Sequence, residues 1–229
     1  MISRVLAVLL LALSLPLAAC ATKPMTDAQR ADQLVGAAEV TYLKFKASQD
    51  QPMDRFRQLL PHAQGILILP GVVKGGFVIA AEGGSGVLLA KDASGQWGSP
   101  AFYFLAAGSV GLQAGAQLGD AILLVFSQDA VKSIIDHQGK LGADLGLIIG
   151  TVGAGVEAST TTNVGADVIV FTQGIGAFAG GSLEAAALIK RNDLNQAFYG
   201  QALSPTDIVL GGHGQNPTAD KLRAALDGQ

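Results

Sequence analysis

The sequence predicts an α+β fold: a glycine-rich, mainly antiparallel β-sheet core with an N-terminal amphipathic helix and short C-terminal helices. Three observations predict it. Apolar residues recur at helical spacing between Ala31 and Phe45. Of the 30 glycines, 24 fall between Gly65 and Gly181. Between those glycines lie short apolar runs of strand length. An interior glycine costs a helix about 1 kcal/mol relative to alanine, so that stretch is not helical throughout. Close spacing of the runs, without intervening helices, favours antiparallel pairing over βαβ units.

Each element follows in order. Thr26 or Asp27 caps the first helix, which presents Ala31, Leu34, Val35, Ala38, Tyr42 and Phe45 on one face with Gln, Asp, Glu and Lys between them. Packing of this face on the domain is favoured over its insertion in a membrane. Pro52 interrupts, and a second helix over 53–60 is stopped by Pro61. Strands are expected over 66–69, 77–81, 86–89, 102–105, 121–126, 147–149 and 167–171, with internal glycines marking bulges and close backbone approach. A helix over 128–137 breaks the series. Short helices over 192–199, 205–210 and 218–226 end it.

Ahead of the fold stands a targeting segment. Arg4 supplies a positive start, and the apolar run 5–15 is too short to cross a bilayer, which needs about 20 helical residues. Leu17-Ala18-Ala19-Cys20 looks like a bacterial lipobox, and Cys20 is the one cysteine of the chain. The expected division is a signal peptide over 1–19, a lipidated tether over 20–26, the domain over 27–210, and a C-terminal tail with a short helix over 211–229. Three acyl chains on Cys20, at roughly 0.8 kcal/mol per buried CH₂, make a permanent anchor. Ala21 follows the cysteine where inner-membrane lipoproteins carry Asp, so the expected location is the outer membrane, facing the periplasm. With Cys20 modified, no disulfide supports the fold.

Composition excludes several function classes. A formal net charge of -3 and only 14% charged residues argue against nucleic-acid binding, which runs on clustered Lys and Arg. A mean hydropathy of +0.40 is the reverse of a disordered chain. Three histidines and one cysteine leave little for a metal centre, and no cofactor is expected. Catalytic signatures fail on single residues: a nucleophile elbow around Ser85 meets Val87 where glycine is required. Gly153-Ala154-Gly155-Val156-Glu157-Ala158 fits a loose dinucleotide form but is followed by Ser159-Thr160-Thr161-Thr162, a poor phosphate-binding helix. His62, His137 and His213 are widely separated. Glu82, Asp92, Asp120, Asp144, Glu157 and Asp167 have no informative spacing. No catalytic constellation emerges, and the protein is not expected to be an enzyme.

One ordered series of motifs is specific. It starts with Ala63-Gln64-Gly65-Ile66-Leu67-Ile68-Leu69-Pro70, Lys74-Gly75-Gly76-Phe77-Val78 and Gly83-Gly84-Ser85-Gly86-Val87. It continues with Trp97-Gly98-Ser99-Pro100, Gly108-Ser109-Val110-Gly111, Leu141-Gly142-Ala143-Asp144, Gly174-Ile175-Gly176-Ala177-Phe178 and Asn195-Gln196-Ala197-Phe198-Tyr199-Gly200. The series resembles the SYLF lipid-binding domain over about residues 27–200, departing at Phe171, where tyrosine is usual, and at Ala185-Ala186. The resemblance implies binding, not turnover. Eukaryotic relatives look like phosphoinositide-binding and actin-associated modules, of which a periplasm-facing lipoprotein would keep a general affinity for anionic phospholipid. On that reading Lys74 is the candidate headgroup cation and Gly75 and Gly76 a backbone anion nest, with Phe77 and Trp97 as apolar contacts. The competing readings are a solvated turn lysine for Lys74 and core packing for Trp97. The alternative function is a structural envelope protein that binds a protein partner through its glycine-rich sheet surface.

Overall fold

Thr26 opens the first helix with a reciprocal capping box: its hydroxyl accepts from the Gln29 N–H at 3.3 Å, and Gln29 Oε1 accepts from the Thr26 N–H at 3.0 Å. In this computed structural model, residues 23–76, 79–110, 115–136, 149–153, 165–175 and 186–228 are described. The helices are α1 (Asp27–Ala47), α2 (Gln51–Leu59), α3 (Gln128–Asp136), α4 (Asn192–Tyr199), α5 (Pro205–Val209) and α6 (Asp220–Leu226), with 3-10 turns at Leu60–His62 and Pro217–Ala219. The strands are β1 (Gly65–Gly76), β2 (Ile79–Ala90), β3 (Ala101–Val110), β4 (Gly115–Val125), β5 (Ile149–Gly153), β6 (Val168–Ile175) and β7 (Ala187–Lys190).

The strands form one sheet in the order β5-β6-β4-β1-β2-β3-β7. Six of them pair antiparallel, as expected, and β5 joins parallel to β6 at the edge. Both faces are covered, which is why the strands read as continuous apolar runs rather than alternating ones. On one face Leu67, Leu88, Tyr103, Leu123 and Val170 pack under α3 and α5. On the other Ile66, Ile68, Leu89, Phe102, Ile122 and Phe171 pack under α1, α2, α4 and α6. The apolar stripe of α1 lies in this second core: Ala31, Val35, Ala38, Tyr42 and Phe45 are essentially inaccessible, while Leu34 is half-buried. Phe56 of α2 touches Tyr42, Phe45 and Phe171 edge-on, with ring centroids 5.3–6.4 Å apart.

Several boundaries differ from the sequence expectation. Pro52 stands inside the first turn of α2, where its missing N–H has no helical acceptor to lose. Pro70 does not end β1. A bulge between Leu69 and Val72 absorbs it, Gly71 takes φ +65°, and the Gly71 N–H finds the Asp120 carboxylate at 3.0 Å. Leu222 and Leu226, in the short helix expected within the 211–229 tail, pack into the same core as α1. The strand β7 was not anticipated. Cys20, Phe77, His137, Asp144, Glu157 and most of the 153–158 glycine motif lie outside the described residues.

Candidate functional site

Lys74, Gly75 and Gly76 end β1 at the tip of the β1–β2 hairpin, where Gly76 pairs with Ala80. Lys74 is half-buried and stands in register between Glu82 of β2 and Gln117 of β4. Residues directly opposite have Cβ atoms about 5 Å apart, which sets Lys74 against Glu82, itself only 5% exposed. Val73 pairs with Leu118 across β1–β4, and these two apolar side chains are 53% and 56% exposed. At the tip, the Lys74 cation and the exposed Val73–Leu118 pair occupy consecutive positions of β1 with no bulge between them, so they project from opposite faces of the sheet.

Trp97 is not part of that tip. It bridges to Lys91, one residue past the Ala90–Gly65 pair at the opposite end of the hairpin. Nine residues of β1 separate Gly65 from Lys74, which at the strand rise places the two groups roughly 30 Å apart. Trp97 is 3% exposed and belongs to the core beneath α1. Its N–H donates to Asp227 at 3.2 Å, its carbonyl accepts from Arg223 Nε at 3.0 Å, and the Lys91 ammonium lies 5.1 Å from its ring centroid. The core-packing alternative for Trp97 describes its position, because burial against α6 leaves its ring no exposed face to offer a lipid. Burial lowers the Lys91 pKa, with the Asp227 charge opposing that shift. The same carboxylate adds to burial in pushing the Tyr42 hydroxyl up to about 12.

Among the described residues, the dispersed polar residues stay dispersed. Asp92 is occupied by its own turn, accepting from the Ser94 N–H and hydroxyl and the Gln96 N–H, which together hold its pKa below the carboxylate range. Asp120 serves Gly71 and Lys44. His62 and His213 are exposed on turns. Among the described residues no three His, Cys, Asp or Glu side chains gather as a metal would need. No described helix is long and apolar enough to cross a membrane.

Comparison with known proteins adds the family. The sequence model of Ysc84, described as "Las17-binding protein actin regulator", matches residues 106–229. The chain is 31% identical over 170 residues to SH3 domain-containing YSC84-like protein 1 of Bos taurus, covering 74% of this chain and 50% of that protein. The human protein of the same name is 31% identical over 170 residues, covering 74% and 49%. LAS seventeen-binding protein 3 of Saccharomyces cerevisiae is 32% identical over 186 residues, covering 80% and 39%. The chain thus matches half or less of the length of these relatives. With more than half of the chain inside the family match, and the match running through the C-terminal helices that close the core, the chain belongs to the Ysc84, or SYLF, domain family of binding domains.

Proposed function

We propose that this protein is a lipid-anchored SYLF domain that binds anionic phospholipid at the bacterial outer membrane, facing the periplasm. The observation that carries the reading is the β1–β2 tip. There Lys74 and the Gly75-Gly76 backbone offer a cation and N–H groups to a headgroup, while the exposed pair Val73 and Leu118 supplies an apolar contact from the opposite face of the same tip. Phe77, outside the described residues, enters the proposal on the motif series alone. Cys20 supplies the anchor, six residues ahead of the Thr26 cap, with signal peptide 1–19 removed and 20–26 as tether. Because the chain carries a formal net charge of -3, binding is modest and only partly electrostatic, so salt weakens it without abolishing it. The test is co-sedimentation of the chain starting at Ala21, which contains every described element, with phosphatidylglycerol vesicles. Binding that falls with Lys74→Glu and Val73→Asp supports the reading. Absence of binding at low salt sinks it.

A second reading rests on the family description, which names a protein partner, Las17. The same exposed apolar pair suits a protein surface, and the class of activity carried over is non-covalent binding rather than that particular partner. A discrete cross-linked complex in cells, together with no vesicle binding by the isolated domain, selects it.

A further inference from the structure

We propose that a cavity at the end of the sheet opposite the β1–β2 tip binds an anion of the phosphate class. The cavity measures about 700 Å³, within the usual range for small-molecule sites. It opens where the start of β1, the Lys91–Ser99 connection, the first turns of α3 and the α5–α6 segment meet. Three cationic residues line it, Lys91, Lys132 and Arg223, against one carboxylate, Asp92, although the Lys91 ammonium also donates to the Pro61 carbonyl at 3.0 Å, outside the lining. That carboxylate already accepts three hydrogen bonds from its own turn. Lys132 also reaches Asp129 at 3.8 Å and Arg223 reaches Asp220 at 3.6 Å, but those acids are 95% and 66% exposed and do not line the cavity. Two further acids stand nearby: Asp207 of α5 is held by Ser204, and Asp227 accepts the Trp97 backbone N–H and faces Lys91 from the α6 side. The lining alone carries a formal excess of two positive charges, which matches a phosphate monoester at about -1.5 to -2.

The walls are tied before any ligand arrives. Gln128 Nε2 donates to the Lys91 carbonyl at 3.0 Å, joining α3 to the end of β2. Arg223 Nε donates to the Trp97 carbonyl at 3.0 Å, which fixes its guanidinium and leaves other N–H groups to point elsewhere. The Ser99 hydroxyl donates to the Gly214 carbonyl at 2.7 Å, holding the α5–α6 segment against the same wall. A site pre-set in this way loses little freedom on binding. The proposal stands independently of the phospholipid reading, since it involves neither Lys74 nor the hairpin tip.

Trp97 is the one tryptophan of the chain; its ring is buried, but Arg223 and Lys91 of the cavity lining contact the residue, so its emission reports an anion placed against them. The full-length protein in neutral detergent micelles is titrated with inorganic phosphate and glycerol 3-phosphate, then with micelles doped with phosphatidylglycerol. The expected result is a saturable emission change that Lys132→Glu weakens by about tenfold, the size of one charge-assisted hydrogen bond. Saturation by the soluble phosphates alone assigns a soluble ligand; saturation by the doped micelles assigns a lipid headgroup. No saturable change with any probe overturns the site, as does a change indifferent to both Lys132→Glu and Arg223→Gln. Lys132 is more than half exposed, so its variant folds and the test is readable even if Arg223→Gln does not. Vesicle binding that fails while cavity binding persists removes the phospholipid reading alone.

Discussion

Asp120 holds a weak point of the sheet with its two oxygens. One accepts the Gly71 N–H at 3.0 Å at the β1 bulge, and the other meets the Lys44 ammonium at 2.8 Å from α1. Lys44 is half exposed, so that ion pair contributes under about 1 kcal/mol, whereas a charged acceptor on a backbone donor contributes roughly 1.5–3. Asp120→Ala is therefore expected to cost about 2 kcal/mol and Lys44→Ala less than half of that, in urea melts run side by side. Gly86 is a stricter case. A Cβ there would stand 2.6 Å from Leu69 Cδ2 and closer still to the Ile68 carbonyl oxygen, so Gly86→Ala is expected to abolish a cooperative melt. Alkali probes Tyr42. Between pH 10 and about 12 the unfolded hydroxyl ionises while the buried one does not, so stability is intact below pH 10 and falls as pH rises through that window. The slope is up to about 1.4 kcal/mol per pH unit for each such tyrosine. Burial pushes Tyr103 and Tyr199 up as well, so Tyr42→Phe should make the slope shallower without removing it.

At the scale of elements, α2 is the keystone between the N-terminal helix and the sheet. Phe56 is fully buried among three aromatic rings from α1 and β6, and Phe56→Ala is expected to destabilise by about 3–5 kcal/mol in chemical denaturation. Helix α6 has only seven residues and could not persist alone. It is held by Leu222, by Asp227 on the Trp97 N–H and by Arg223 on the Trp97 carbonyl. Leu222→Ala should cost about 2–5 kcal/mol and raise the exposure of Trp97, seen as a red shift in its emission. If the melt moves and the emission does not, α6 does not cover Trp97 in solution.

For the whole molecule, the proposed anchor at Cys20 and the domain are expected to be separable. Cys20→Ser is expected to leave an uncleaved or lipid-free species and to remove the protein from the outer-membrane fraction, without changing the melt of the domain. The reason is positional, since Cys20 precedes the Thr26 cap and every buried contact described. Persistence in that fraction after a high-salt wash would assign attachment to the domain. The face of α1 that carries Tyr42 and Phe45 could not provide it, being closed against the sheet. Val73 and Leu118 would be the surface to change next.

The α+β class, the placement of α1, α3, α4 and α5, and the core of most strands were legible in the sequence. Each rests on a local rule: the Thr26 capping box, the 3.6-residue stripe of α1, and the apolar runs between glycines. The passage of β1 through Pro70 was not legible, because it depends on a carboxylate 50 positions away at Asp120 that satisfies the bulge. Nor was the parallel edge strand β5, whose partner is chosen by the sheet edge left open rather than by its own five residues. The candidate site divided in the same way. Motif order brought Lys74, Gly75 and Gly76 to attention, and they do share one hairpin tip. Trp97 follows them by only about twenty positions in the motif series, yet the long β1–β2 hairpin carries it to the far end of the sheet and α6 closes over it. The sequence by itself determined the family, the class and the local elements, because those follow from spacing along the chain. Only the tertiary structure decided which cations meet in one cavity and which aromatic ring is sealed in the core, because strand pairing and helix docking join residues that share no local pattern.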